Sequence, residues 1–439
     1  MDTPVIDFLK DFAETGMLRC HMPGHKGRGL PFVSAAFDIT EISGADSLFE
    51  ADGIIAESER NMSRLYGSAA TVYSAGGSTL CIQAMLSVMK REGRRVFAVR
   101  NAHRAFLNAA ALLDMQVDWL LPERPDGILS GTIDPAAAEA ALSGFGEAPS
   151  CLYVTSPDYT GKTADIAALA KVCRRHGARL IVDSAHGAHL AFMPENMHPI
   201  ALGADMCCDS AHKMLPALTG AAMLHTSRPE YTELLKPAMG LFGSTSPSYL
   251  IMASLDGCCK YISERIRRDI ADNLVHLREF REHFGGLVRS DGDPFHITLC
   301  AAENGYYGNE LAQLLRENGC ECEYSDSRLV ILLMSPVNVP DDYARLTASL
   351  HSALSRAVRG NPVHDELRIR LPERAMSIRD AVFAPGEDIP VEEAEGRICG
   401  AVSVPCPPAV PIAASGEIID RNCINIFKRY GISSVNVVK

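Results

Sequence analysis

Lys213 has the clearest potential for covalent chemistry, because it follows Ser210 and His212 in the segment CCDSAHKMLPALTG, residues 207–220. A short apolar run precedes these polar residues, which places them just past the end of a predicted strand. An amine shielded from water loses part of its preference for the charged form, and a neutral amine can form a Schiff base with an aldehyde cofactor. Most lysines are solvated surface charges, so this interpretation depends on the surrounding residues.

Two further residues follow predicted strands and suit the same chemistry. Asp183 ends the apolar run RLIVD, where a carboxylate could pair with a protonated pyridine nitrogen, and this pairing makes pyridoxal 5′-phosphate an electron sink. A strand-terminal aspartate can equally cap a helix. His103, in RNAHRAF, could lie over a flat heteroaromatic ring, although a single histidine is more often a helix cap or a satisfied core residue.

The segment SAGGSTLCIQAM, residues 74–85, joins small residues and hydroxyls to the start of a predicted helix. Gly76, Gly77, Ser78 and Thr79 would let backbone N–H groups approach a phosphate, and a helix N-terminus favours its negative charge. The segment has neither the lysine placement of a P-loop nor the pattern G-x-G-x-x-G. Together with Ser210 and His212, these residues predict a phosphate site beside Lys213.

The elements that must position these residues follow from the pattern of apolar segments. From residue 69 onward, short and nearly continuous apolar strands alternate with helical segments, which predicts an α/β fold with a mostly parallel sheet covered by helices on both faces. Such a sheet binds its ligand beyond the carboxyl ends of its strands, where the polar groups lie. We expect four parts: an N-terminal arm and helix (1–40), a large cofactor-binding α/β domain (41–260), a small α+β domain (261–360) and a C-terminal extension (361–439).

Composition narrows the classes of function. The net charge of -12 argues against nucleic-acid binding. The longest apolar runs are too short to span a membrane, and the first residues lack the features of a signal peptide. The 14 cysteines include no C-x-x-C pair, so we expect reduced, buried thiols and a cytoplasmic protein. We expect no metal site, since Pro23 and Gly24 between His21 and His25 disfavour a helix, and a cofactor pocket already accounts for His186 near His189.

The chain resembles, over nearly its whole length, the Orn/Lys/Arg decarboxylases, fold-type-I pyridoxal-phosphate enzymes, in their short bacterial form without a receiver-like N-terminal domain, and the resemblance runs through eight ordered blocks. The blocks are HMPGHKGRG (21–29), DITEISGADSLFEADGII (38–55), RNAHRAF (100–106), TSPDYTG (155–161), VDSAHGAH (182–189), DSAHKMLPALTG (209–220), GSTSPSYLIMASLD (243–256) and CPPAVPIAASGE (406–417). The resemblance implies a seven-stranded sheet and a homodimer, or a higher oligomer, with the active site at the subunit interface. It also implies decarboxylation of arginine, lysine or ornithine to agmatine, cadaverine or putrescine, in polyamine biosynthesis.

The resemblance also implies a role for individual residues. Lys213 would be the Schiff-base lysine, Asp183 the partner of the pyridine nitrogen, His103 the residue stacked on the ring, and His186 a neighbour of the phenolic oxygen and the substrate. The residues that would hold the phosphate are Gly77, Ser78, Thr79, Ser210 and His212. The block containing Ser244 and Thr245 would reach the site of the neighbouring subunit.

The chain departs from the family pattern in ways that leave the substrate open. Members commonly carry Asn-Gly-Thr-Thr in place of residues 76–79 and Thr-Gln in place of 219–220, and their tails differ at Cys406, Ala409 and Ser415. Because the tail helps to shape the substrate pocket in relatives, two alternatives remain: another fold-type-I reaction, such as an aminotransferase or lyase, and a catalytically silent protein. Glu417 and Asp46 are candidates for binding the distal positive end of a basic substrate.

Overall fold

The computed structural model describes residues 15–20, 24, 26, 41, 45–126, 129–146, 148–362, 369–402 and 410–439. The predicted N-terminal helix and most of the predicted arm lie outside the described residues. The same holds for His21, His25, Cys406 and Ala409. The predicted domain boundaries stay a prediction.

A seven-stranded sheet forms the centre of the large α/β region, and the predicted architecture is confirmed. Five strands pair in parallel, and the strand Ala222–Thr226 is antiparallel to both of its neighbours. In sheet order the strands are Ala70–Ser74, Ala222–Thr226, Met206–Asp209, Arg179–Asp183, Ser150–Thr155, Arg95–Val99 and Val117–Leu120.

Helices cover both faces of this sheet because its strands are apolar on both sides. Successive strand residues point to opposite faces, so Val96 and Ala98 join one hydrophobic cluster while Phe97 and Val99 join another. The first cluster includes the helices Gly77–Arg91, Arg104–Leu112 and Thr232–Gly240, and the second includes Pro135–Phe145, Ile166–Arg175 and Pro199–Leu202. The sheet is therefore a buried platform whose polar residues lie at its edges.

A smaller α+β region follows the large sheet. Its three-stranded antiparallel sheet has the order His296–Leu299, Val330–Leu333, Tyr324–Ser325. Helices Ile266–Phe284, Gly308–Glu317 and Pro340–Arg356 pack beside it, and the strand Cys320–Cys322 pairs in parallel with Leu18–Cys20. The N-terminal part of the chain is thereby attached to this region.

The C-terminal part packs against the small α+β region in one hydrophobic cluster, which includes Leu329 and Ile331. Strands Gly386–Pro390 and Ser434–Val438 pair antiparallel, and helices Ile378–Phe383 and Arg421–Arg429 accompany them. The other elements are helices Ile54–Tyr66, Ala211–Met214 and Tyr249–Glu264, 3-10 turns Leu190–Phe192, Pro229–Tyr231, Gly285–Leu287, Ala302–Asn304 and Val391–Glu393, and strands Glu123–Asp126 and Ser130–Thr132. Within the described ranges, no helix combines the length and apolarity that a membrane crossing needs.

Candidate active site

Lys213 lies in a one-turn helix, Ala211–Met214, that follows the strand Met206–Asp209 after a single residue. Its backbone N–H donates to the carbonyl oxygen of Ser210 at 3.0 Å and so closes the turn. The partly buried side chain reaches His186, whose Nε2 lies 3.0 Å from the lysine Nζ. The strand end thus directs the amine toward the next strand-end segment rather than into bulk water.

Gly24 of the HMPGHKGRG block packs against the backbone of this lysine turn. Its N–H donates to the carbonyl oxygen of His212, and its own carbonyl oxygen accepts from Ser335 Oγ at 2.8 Å. A β-carbon at position 24 would lie 2.7 Å from the carbonyl oxygen of Lys213. The absence of a side chain at Gly24 therefore permits the close approach of the two segments.

Asp183 ends the strand Arg179–Asp183 and is 3% exposed. Its Oδ2 accepts from the hydroxyl of Tyr153 at 3.1 Å, and its Oδ1 accepts from the N–H of Ala185 at 3.2 Å. Burial raises the pKa of Asp183, while the positive charge of Lys213 and these hydrogen bonds act in the opposite direction. The carboxylate is thus a buried group that a facing cation would stabilise in its charged form.

His103 and His186 complete the group around the lysine. His103 is the N-cap of the helix Arg104–Leu112, and its Nδ1 accepts from the N–H of Ala105 at 3.1 Å. Burial, and then the charge of Lys213, lower the pKa of His103 to about 4. The same two causes hold the pKa of His186 well below its usual range. Both imidazoles are therefore neutral near pH 7.

The predicted phosphate residues meet at the start of the helix Gly77–Arg91. Ser210 Oγ donates to Ser78 Oγ at 2.9 Å, and a ring N–H of His212 donates to the carbonyl oxygen of Ala221 at 3.0 Å. Gly77 has a φ of 68°, and no heavy atom lies within 4 Å of where its β-carbon would be. This helix end offers open space, hydroxyls and the positive end of the helix dipole.

A cavity of about 240 Å³ opens beside this helix end. Gly76 and Thr79 line it, and so does Ser244, in the loop before the helix Tyr249–Glu264. Thr245, the next residue, is exposed. The structure brings Ser244 to the phosphate residues of its own chain, and the predicted contact with a neighbouring subunit stays a prediction.

One protein-family model matches the region of the chain that contains this site. The model described as "Orn/Lys/Arg decarboxylase, major domain" matches residues 3–293, which is well over half of the chain. This chain belongs to the Orn/Lys/Arg decarboxylase family. The family is one of lyase-type decarboxylases, so the predicted relationship and enzyme class are confirmed.

Individual relatives agree with the family match. The chain is 27% identical to an arginine decarboxylase of Bacillus subtilis (strain 168) over 97% of its own length and 93% of that protein. Lysine decarboxylase A from Pseudomonas aeruginosa has a similar structure, with a TM-score of 0.74, 19% identity, and coverage of 91% of this chain and 73% of that one. A variant of a serine palmitoyltransferase from S. paucimobilis, with a bound PLP-myriocin aldimine, has a TM-score of 0.56, 12% identity, and coverage of 71% of this chain and 79% of that one. At these identities the two structures establish the shared fold alone.

The sequence did not indicate two residues of this candidate site, Tyr153 and His296. Tyr153 lies in the neighbouring strand and donates to Asp183, while His296 contacts His186 from the small sheet, with 3.0 Å between their ring nitrogens. A strand pattern identifies Tyr153 as buried but does not show which way its hydroxyl points. Nothing in the segment PFHITLCA indicates that His296 reaches a strand end of another sheet.

The two carboxylates proposed for the distal end of a substrate have partners within the protein. Glu417 Oε2 lies 2.7 Å from Arg100 Nη2 in a buried ion pair. Asp46 accepts hydrogen bonds from backbone N–H groups at the start of the helix Ile54–Tyr66, including that of Ile55 at 2.9 Å. Both carboxylates thus have structural roles, Glu417 in an ion pair and Asp46 at a helix start, and their contact with a substrate stays a prediction.

One cluster of ligand-type side chains lies behind the lysine turn. His198, Cys207 and Asp209 are buried, and their ligand atoms lie within 4.8 Å of one another. His198 Nε2 donates to Asp209 Oδ2 at 2.9 Å, and His225 Nε2 lies 3.2 Å from the same oxygen. Hydrogen bonding between imidazoles and a carboxylate explains this arrangement, and the absence of a metal stays a prediction.

Proposed function

We propose that this chain uses pyridoxal 5′-phosphate to decarboxylate a basic L-amino acid, namely arginine, lysine or ornithine, and releases carbon dioxide with agmatine, cadaverine or putrescine. The observation that carries the proposal is the position of the Lys213 amine. Its Nζ lies 3.0 Å from His186 Nε2, and its charge acts on the pKa values of Asp183, His103 and His186, which supports a single site for the four groups. Membership of a decarboxylase family supports the type of reaction.

The residues present fit this cofactor. Asp183 would hold the ring nitrogen, and His103 would lie against the ring. The residues that would hold the phosphate are Gly77, Ser78, Thr79, Ser210 and His212. The fit is supported by the open space over Gly77 and by Thr155, whose buried hydroxyl at the adjacent strand end has no hydrogen-bond partner among the described residues.

The protein's own groups have distinct tasks in this proposal. When bound, the cofactor links covalently to an amine, and its protonated ring accepts the electron pair left as carbon dioxide departs. Asp183 would favour the protonated form of the cofactor's ring nitrogen, because a buried carboxylate stabilises an adjacent cation. Lys213 or His186 holds the proton that returns to the substrate's α-carbon. Packing around the site orients the carboxylate that leaves.

Amine analysis on three substrates tests the proposal. Purified protein with pyridoxal 5′-phosphate is incubated separately with arginine, lysine and ornithine, and the amine and carbon dioxide are quantified. Arginine is the first substrate to try, because the relative from Bacillus subtilis is described as an arginine decarboxylase. We expect equimolar amine and carbon dioxide from one of the three. Lys213→Ala should abolish both products, whereas Lys171→Ala, which alters an exposed helix residue, should leave them unchanged.

Two outcomes would contradict the proposal. Formation of a keto acid without carbon dioxide would indicate an aminotransferase. Bound cofactor without carbon dioxide from any of the three substrates would remove the decarboxylase assignment. Absorbance of the cofactor, compared between the wild type and Lys213→Ala, separates a protein that has lost cofactor binding from one that binds it silently.

We also propose a cytoplasmic homodimer, or a higher assembly of dimers, that serves polyamine biosynthesis. The cysteines that the structure describes are free and buried, which supports a reducing compartment. The exposed segment around Ser244 and Thr245, beside the cavity, supports an interface there. Sedimentation of the active protein tests the assembly, and a fully active monomer would contradict it.

A further inference from the structure

A line of buried hydrogen-bonded side chains leads away from Lys213 toward the small sheet. His186 contacts the lysine Nζ through Nε2 at 3.0 Å and His296 Nε2 through Nδ1 at 3.0 Å. His296 Nδ1 then lies 2.9 Å from Asp293 Oδ2, and His189 Nε2 lies 3.0 Å from the other carboxylate oxygen. The three histidines and the aspartate are at most 5% exposed.

The aspartate at the end of this line fixes which nitrogen carries each proton. Although burial raises it, contacts with His189 and His296 hold the pKa of Asp293 well below its usual range, so the group is a carboxylate and only accepts. His296 must therefore donate from Nδ1. When His296 is neutral, its Nε2 accepts, so His186 donates from Nδ1 and presents a bare Nε2 to Lys213.

Other polar and charged groups surround the two central histidines. His186 faces Lys213 and is near His103, and the ring of Tyr159 lies 5.5 Å from its own. Arg281 Nη2 donates to the backbone carbonyl oxygen of His296 at 3.2 Å, and the negative charge of Asp293 acts to raise the pKa of this guanidinium. The N–H of Phe295 also donates to Asp293 Oδ1, at 3.1 Å. Asp293 is thus held by several donors and keeps its orientation toward His296.

We propose that His296 and Asp293 are positioning residues that make His186 a proton acceptor for Lys213, a role that rests on the proposed function of Lys213. A proton leaves Lys213 Nζ and binds His186 Nε2, while the Nδ1 proton of His186 passes to His296 Nε2. Lys213 becomes a neutral amine, His186 stays neutral as the other tautomer, and His296 becomes an imidazolium beside the Asp293 carboxylate. No proton is gained or lost, and the same path in reverse returns the proton to the amine.

The first test measures the tautomer of His186 directly. Nitrogen-15 NMR of the imidazoles in the full-length protein without added cofactor should show His186 protonated at Nδ1 and bare at Nε2. In Asp293→Asn, the amide can donate to His296 Nδ1, which reverses the donors along the line and moves the His186 proton to Nε2. A wild-type His186 protonated at Nε2 would overturn the proposal.

The second test is the pH dependence of amine formation in the holoenzyme. Asp293→Asn should shift the pH profile of kcat by about one unit, which corresponds to a tenfold change in a proton equilibrium. Asp293→Glu keeps the carboxylate, so its pH profile should lie closer to that of the wild type. Tyr343→Phe is the control, because the Tyr343 hydroxyl is also buried and donates to Asn273 in the small α+β region. A profile that moves as much in the control as in Asp293→Asn would show a general packing effect and would count against the relay.

The two tests separate failure of the relay from failure of the proposed function. The NMR result does not depend on turnover, so a Nδ1-protonated His186 in a protein that forms no amine leaves the relay geometry supported and removes the decarboxylase. Amine formation by a protein whose His186 is protonated at Nε2 would support the decarboxylase and overturn the relay. Urea midpoints of all variants confirm that each is folded.

Discussion

Arg100 and Glu417 form a buried ion pair, with 2.7 Å between Nη2 and Oε2, and their side chains are 1% and 3% exposed. Arg100 directly follows the strand Arg95–Val99, lies over the ring of Trp119 at 4.7 Å, and donates to the carbonyl oxygen of Ile412 at 3.2 Å. The pair therefore joins the C-terminal part of the chain to the sheet edge that carries His103. His103 follows Arg100 by three positions in the chain, so this contact and the candidate site share one short segment.

Removing one member of this pair should destabilise the protein. Glu417→Gln leaves a buried guanidinium without its counter-charge, and breaking a buried pair typically costs about 3–5 kcal/mol. Urea unfolding of Glu417→Gln and Arg100→Met should each show a loss of that order, and the double variant should lose less than the sum. The exposed pair Arg421–Glu395 is the control, where Glu395→Gln should change the free energy of unfolding by about 1 kcal/mol or less. Equal losses at both pairs would contradict this explanation.

Adding a methyl group at Gly24 should displace the lysine turn. The new β-carbon would lie 2.7 Å from the Lys213 carbonyl oxygen, well inside contact distance, and backbone atoms cannot move aside cheaply. Misplacement of a reacting group by about 1 Å can reduce a rate by roughly 100-fold, so Gly24→Ala should lower kcat by tens-fold or more. Gly144→Ala, in an exposed helix turn with open space around the β-carbon, should keep kcat and slightly raise stability. Unchanged kcat in a folded Gly24→Ala would contradict the predicted contact.

Removing the Tyr153 hydroxyl should weaken the site through Asp183. Tyr153→Phe removes a hydrogen bond of 3.1 Å to a buried carboxylate, and a hydrogen bond to a charged group contributes about 1.5–3 kcal/mol. We expect kcat for amine formation to fall by about tenfold or more, and the pKa of Asp183 to rise further. Tyr343→Phe is the control, since that buried hydroxyl donates to Asn273 in the small α+β region. Equal kinetic losses in the two variants would indicate a general effect of removing a buried hydroxyl.

The positions of Lys213 and Asp183 could be predicted because local rules decide them. Apolar runs locate strand ends, and the carboxyl ends of neighbouring parallel strands meet at one edge. The orientation of Ala222–Thr226 was harder to predict from its apolar character. It follows Met206–Asp209 through a short connection without a full crossover helix, which suits an antiparallel strand.

The line through His296 could not be predicted, for a different physical reason. His296 lies 110 residues from His186 in sequence, on a strand of another sheet, and their contact depends on how the two sheets pack. A strand pattern classifies His296 as buried, but side-chain hydrogen bonds across regions leave no periodic signal. The same reasoning applies to Arg100 and Glu417, whose pairing depends on where the C-terminal part folds back onto the large sheet.

Acidification should destabilise the cofactor-free protein partly through His103. Burial, and then the charge of Lys213, lower the pKa of His103 from 6.5 to about 4. Between these values the unfolded chain binds more protons than the folded chain, so stability falls as the pH is lowered through this window and recovers as it is raised. Urea midpoints measured from pH 7 to pH 4 should therefore fall less steeply in His103→Gln than in the wild type. Asn108→Gln is the control, because it changes an exposed residue of the helix that His103 caps without adding or removing a titratable group, and it should keep the wild-type slope. Identical slopes in the wild type and His103→Gln would show that His103 binds its proton equally well in the folded and unfolded chain, which would contradict the lowered pKa.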